Sequence, residues 1–161
     1  MKYDKVLWIC RDNTGLSLMA ESLFVHLYEG KPVYVASRGL VVLMPVPCNP
    51  KVELVLKNHN VKLISQTSKP LKEEDITDSS LVLTLLEADR ERLHARYPYV
   101  AVKTLSELVG EAIPLRNPYG GTLEDYDLCF TEMEGLIRKA ALLVAESLER
   151  EDRLDNMFES I

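Results

Sequence analysis

The residues with the clearest chemical potential lie near the start of the chain. Cys10 ends an apolar run, Lys5 to Cys10, and is followed by Arg11, Asp12, Asn13, Thr14 and Gly15, then by Leu16 and Ser17. A strand that ends in cysteine, runs into a short polar loop and then into a helix makes an anion cradle. The loop turns backbone N–H groups inward, and the helix N-terminus adds partial positive charge. The same groups stabilise a thiolate, and sulfur held there is placed to attack a bound oxyanion. A plainer alternative stays open on residue types alone, because a free cysteine at the end of a buried strand commonly serves packing. Cys48 and Cys129 stand apart with no C-x-x-C spacing, so no metal site and no cofactor are expected, and both read as inert. His26, His59 and His94 fall in separate helical segments with no shared motif and read as helix-face residues, not ligands.

The elements around this loop are set by hydrophobic pattern and punctuation. Lys5 to Cys10 reads as a buried strand. Ser17 reads as the N-cap of a helix whose apolar face is Leu18, Met19, Leu23, Phe24 and Leu27, stopped near Gly30 and Pro32. Val33 to Ser37 is a second strand. Arg38 to Pro50 is a loop, and 49–60 is a helix with Pro50 at its first position. Leu81 to Leu85 is a third strand, Ala88 to Tyr97 a helix stopped by Pro98, and Val100 to Leu105 a fourth strand. A loop from Ser106 to Gly121 leads to a long helix from Thr122 to about Arg150. Strands alternating with helices imply a doubly wound parallel sheet with helices on both faces. Ligands in such folds sit at the carboxyl ends of the strands, where Cys10 lies.

Composition narrows the partners. The 161 residues suit one domain, expected at 1–150, with an amphipathic tail at 151–161. In that tail Leu154, Met157, Phe158 and Ile161 share one helical face, suited to packing on the domain or to a partner. The net charge is −6 with no basic run, which argues against nucleic acid. Apolar runs fall far short of the ~18–20 residues that span a bilayer, so no membrane association is expected. Three scattered cysteines and a start without signal-peptide character point to a reducing, cytoplasmic setting.

The loop and several later segments resemble the low molecular weight protein tyrosine phosphatases. That family opens with V-C-x-G-N-x-C-R-S-P-M-A-E, and this chain runs from Val6 through Cys10, Asn13, Ser17, Met19, Ala20 and Glu21 in the same order. Ser37-Arg38-Gly39-Leu40 is similar to the segment after the second strand. Asn117-Pro118-Tyr119-Gly120-Gly121 resembles the D-P-Y-G-G loop, and Asp125, Tyr126 and Cys129 come after it as in many members. The resemblance implies a four-stranded, flavodoxin-like three-layer sandwich. It implies Cys10 at the nucleophile position and an anion-binding loop of Arg11, Asp12, Asn13, Thr14, Gly15 and Ser17. Ser17 would hydrogen-bond the thiolate, and Tyr119 would be a pocket wall.

The departures fall on the chemical positions. Leu16 stands where the family has the loop arginine, Asn117 where it has the general-acid aspartate, Asp12 where it has glycine, Gly15 where it has a second cysteine, and Leu18 where it has proline. The expectation is therefore a catalytically impaired relative, a pseudophosphatase. Its ligand would be phosphate or a phosphorylated molecule such as a phosphotyrosine protein, and its oligomeric state is not given by the sequence. The alternative is an active phosphotyrosine or aryl phosphate hydrolase working through a Cys10 phosphoenzyme, with Arg11 or Arg116 compensating for the lost guanidinium. An arsenate reductase, a related fold, is disfavoured because Gly15 removes the neighbouring thiol that redox chemistry would use.

Overall fold

The computed structural model describes residues 2–160. Four strands, β1 (Lys5–Cys10), β2 (Tyr34–Gly39), β3 (Ser80–Thr84) and β4 (Val102–Thr104), form one parallel sheet in the order β2-β1-β3-β4. The helices are α1 (Leu16–Leu27), α2 (Pro50–Asn58), α3 (Glu87–Arg96), α4 (Leu105–Leu108) and α5 (Leu123–Glu159), with a 3₁₀ turn at Glu73–Asp75. β1 is central, with register partners Trp8 to Ser37 on one side and Val6 to Leu81 on the other.

Alternation along the strands makes the three layers. Val6, Trp8, Leu81 and Leu83 face the larger core, built with α1, α2 and α5. Leu7, Ile9 and Val82 face the smaller core, where Leu93 of α3 and Leu71 close the other side. A strand covered on both faces reads as an unbroken apolar run, which makes β1 legible in the sequence. The chain passes to opposite sides of β1 to reach β2 and β3, so the C-terminal end of β1 is the crevice where this topology leaves room for a ligand.

Several elements differ from the sequence expectation. Ser17 is not the N-cap of α1. Gly15 takes that place with no side-chain cap, and Ser17 lies inside the helix. Every residue of α1 from Leu16 to Phe24 is buried, Glu21 included, so its first turns have no solvent face. The expected loop after β4 begins with α4, whose Thr104 and Glu107 form a capping box, a T-x-x-E signal present in the sequence. β4 is three residues long, not six. Residues 151–159 continue the helix that precedes them. α5 opens on a Thr122–Asp125 capping box and runs unbroken to Glu159, about 55 Å at 1.5 Å per residue. Leu154, Met157 and Phe158 are exposed on its last turns, and Ile161 lies outside the described residues. No helix among the described residues is long and apolar enough to cross a membrane.

Candidate active site

Cys10 closes β1, and its sulfur is held from behind. Asn13 N donates to Sγ at 3.3 Å, and Ser17 Oγ lies 2.9 Å from Sγ. Asn13 Nδ2 donates to Ser17 Oγ at 2.7 Å, which leaves the Ser17 hydroxyl hydrogen free to point at the sulfur. Asn13 Oδ1 accepts from Lys69 N at 2.9 Å, tying the loop to the segment beyond β2. Asn13 has φ +57°, a left-handed conformation that asparagine tolerates better than most residues. Gly39 makes room for this turn, since a Cβ there would stand 3.0 Å from Asn13 Cβ and 2.5 Å from a Val42 methyl carbon. Asn13 and Ser17 are fully buried, so they shape the loop and grip Cys10 without facing the ligand space.

In front of Cys10 opens a cavity of about 590 Å³. The loop contributes Arg11, Asp12, Thr14, Gly15 and Leu16. Val41 and Asn49 close one side, α3 brings Asp89 and Arg92, and Asn117, Pro118 and Tyr119 form the far wall with Tyr126. Asn49 Nδ2 donates to Tyr126 OH at 3.2 Å and braces that wall. Burial pushes the Cys10 thiol above its ordinary value. The hydrogen bonds from Ser17 and Asn13 pull it part of the way back, and the Asp12 carboxylate pushes it up again. Cys129 is pushed up to about 12 and Cys48 to about 11 by burial, as suits inert thiols. Among the described residues there is no group of three His, Cys, Asp or Glu side chains placed to hold a metal ion.

Comparison with known proteins fits this geometry. The family model described as low molecular weight phosphotyrosine protein phosphatase matches residues 5–154. The chain belongs to this family. It is similar to the low molecular weight protein-tyrosine-phosphatase PtpB of Staphylococcus epidermidis, 27% identical over 137 residues that cover 84% of this chain and 95% of the relative. It is 30% identical over 142 residues to a protein-arginine-phosphatase of Bacillus subtilis, covering 84% of this chain and 93% of the relative. Among solved structures, the YwlE arginine phosphatase from Geobacillus stearothermophilus superposes with a TM-score of 0.81 at 28% identity, covering 90% of this chain and 96% of that one.

Within the phosphatase fold the departures have definite places. Leu16 is the first residue of α1, 8% exposed, with its side chain in the larger core and at the cavity edge. Asp12 Oδ1 accepts from Thr14 N at 3.2 Å, so a carboxylate already engages one loop N–H. Asn117 Oδ1 accepts from Tyr119 N at 3.1 Å, the work of a turn residue. Tyr119 is 81% exposed at the rim. The two arginines separate. Arg11 lines the Cys10 cavity, whereas Arg116 pairs with Glu132 at 3.3 Å and faces a second cavity of about 340 Å³ beyond the Asn117–Tyr119 wall. Arg116 thus lines the second cavity and not the one over Cys10.

Sequence reasoning misses Asp89 and Arg92. Both lie on α3, close behind the carboxyl end of β3, which is the right end of the sheet. An acidic and a basic residue three apart on a polar helix, however, look like an ordinary surface pair.

Proposed function

We propose that this phosphatase-family protein binds a phosphate-bearing ligand over Cys10 and hydrolyses it weakly or not at all. The observation that carries the reading is Leu16. An arginine there would grip two phosphate oxygens with a planar fork and offset thiolate charge beside a dianion. Leucine does neither. Loss of an arginine that stabilises phosphoryl-transfer charge costs on the order of 10³–10⁵ in rate. Asn117 has no acidic proton for a leaving tyrosinate, and a missing general acid costs roughly 10²–10⁴. The raised Cys10 pKa acts in the same direction by lowering the thiolate fraction at neutral pH.

The names of the relatives suggest where the phosphate sits. Phosphotyrosine and phosphoarginine on a protein are the two substrate classes they print. Three free, buried cysteines are consistent with a reducing, cytoplasmic setting. The second reading, a working hydrolase with a Cys10 phosphoenzyme, is favoured by one observation, the presence of Arg11 in the cavity.

A steady-state assay with p-nitrophenyl phosphate separates the two. The expected result is turnover indistinguishable from a Cys10→Ser control. Robust turnover that disappears in Cys10→Ser establishes the hydrolase reading instead.

A further inference from the structure

The cavity over Cys10 carries four charged side chains, and only Arg11 and Asp12 come from the phosphatase loop. The other two, Asp89 and Arg92, sit one helical turn apart on α3. Arg92 Nη1 lies 3.2 Å from Asp89 Oδ1. The partners are unequally placed. The Asp89 side chain is 4% exposed and the Arg92 side chain 54%. The carboxylate is set into the wall, and the guanidinium stands between it and open space. A guanidinium has five N–H donors, and the contact with Asp89 leaves most of them available. This is the cation type the loop has lost, supplied to the same cavity from a different element.

We propose that Arg92 receives the anionic ligand of this cavity and that Asp89 is the latch it must leave, so that binding an anion is accompanied by uptake of one proton at Asp89. The proposal rests on the reading that the cavity takes an anion, and it deepens that reading by naming the receptor group. With Arg92 turned to the ligand, Asp89 stays buried, loses its nearest cation and gains a negative neighbour. A carboxylate so placed takes a proton from solvent. The charge balance is simple: anion, proton and the Arg92–Asp89 ion pair become an anion–Arg92 pair and a neutral Asp89. The charged groups acting on Asp89 are Arg92 on its own helix and Arg11 and Asp12 facing it from the loop after β1. Burial already holds the Asp89 carboxyl above the usual carboxylate range with Arg92 in place. The bound form lies higher still. Between the free and bound values the complex holds more protons than the free protein, so affinity falls as pH rises, by up to about tenfold per pH unit. Receipt of the anion by Arg11 alone leaves the Asp89–Arg92 pair closed, so that binding is then unchanged in Arg92→Ala and any slope persists in Asp89→Asn.

The test uses inorganic sulfate, which stays doubly charged through the range studied, titrated into the full-length protein across about pH 4 to 8. Binding is read from the backbone amide NMR shifts of Arg11 to Gly15. The expected results are affinity that declines with pH and weakening by about ten- to a hundredfold in Arg92→Ala. In Asp89→Asn the profile flattens, and binding at the upper end of the range tightens by about tenfold. Unchanged binding in Arg92→Ala overturns the proposal while leaving the anion reading standing. So does a flat profile in the unaltered protein. Failure of both the unaltered protein and Asp89→Asn to bind sulfate removes the anion reading and the proposal together.

Discussion

The two sides of the Cys10 loop have had different fates. Behind the sulfur, Asn13, Ser17 and the Lys69 amide form a closed, fully paired set of hydrogen bonds of the kind a phosphatase loop needs. In front of it, Leu16 offers no donor, Asp12 brings a negative charge, and Asn117 closes a turn with Tyr119. The rear set is buried, so losing any member leaves a polar group unpaired in the core and destabilises the fold whether or not the protein has a substrate. The exposed front positions, Asp12 and Asn117, border a cavity, where a change of residue alters chemistry and costs little stability, whereas Leu16 also packs into the larger core. The shape of this loop therefore answers to folding, and its reactivity answers to the residues that border the cavity.

The largest effect expected from that contrast comes from rebuilding the front alone. The triple variant Asp12→Gly, Leu16→Arg, Asn117→Asp supplies the fork and the proton donor and removes the opposing carboxylate. If the rear half already sets the loop, p-nitrophenyl phosphate hydrolysis rises by at least about 10³-fold. Activity that stays at background in a folded triple variant breaks the comparison, because the loop would then differ from a working one in shape as well as in side chains.

Stability provides the converse measurement. Ser17→Ala and Asn13→Ala each leave buried partners unsatisfied and are expected to lower unfolding free energy by about 1–3 kcal/mol in urea titration. Asn13→Ala should lie at the upper end, because alanine is less at ease at the left-handed φ of that position. Asp12→Asn, on the exposed front, is expected to stay within about 0.5 kcal/mol. Equal losses front and rear would erase the distinction.

The same asymmetry governs what the sequence can reveal. β1, β3 and the parallel sheet are legible because buried strands are written as continuous apolar runs with turn residues at their ends. Ser17 reads as a cap, because a serine at a loop–helix junction has the same appearance whether it caps a backbone N–H or grips a sulfur. The residue-level pattern favours the cap and the family resemblance favours the grip, and the structure has the grip. Adjacency to Asn117 draws Arg116 to the site in the sequence, but in the structure its side chain pairs with Glu132. Asp89 and Arg92 are invisible in the sequence because the fold, not their spacing, brings α3 to the mouth of the β1 loop. Burial of an aspartate on a helix with a largely polar composition has no one-dimensional signature.

The smallest effect sharpens the boundary between the two sides, because Cys10 itself sits on it. Its thiol is raised by burial, lowered by the Ser17 and Asn13 hydrogen bonds behind it and raised by Asp12 in front. Alkylation by iodoacetamide tracks the thiolate fraction, so its rate should climb with pH toward a midpoint above the ordinary thiol value of about 8.5. Removing the rear contribution in Ser17→Ala takes away a donor to the thiolate and moves the midpoint up. Removing the front contribution in Asp12→Asn takes away a like charge and moves it down by a few tenths of a unit, on the order expected for an exposed charge at this range. Opposite displacements from two neighbouring substitutions place the sulfur between a stabilising back and an opposing face. A midpoint already below neutrality in the unaltered protein would instead mean that a thiolate persists without the loop arginine, and the hydrolase reading would then be the one to pursue.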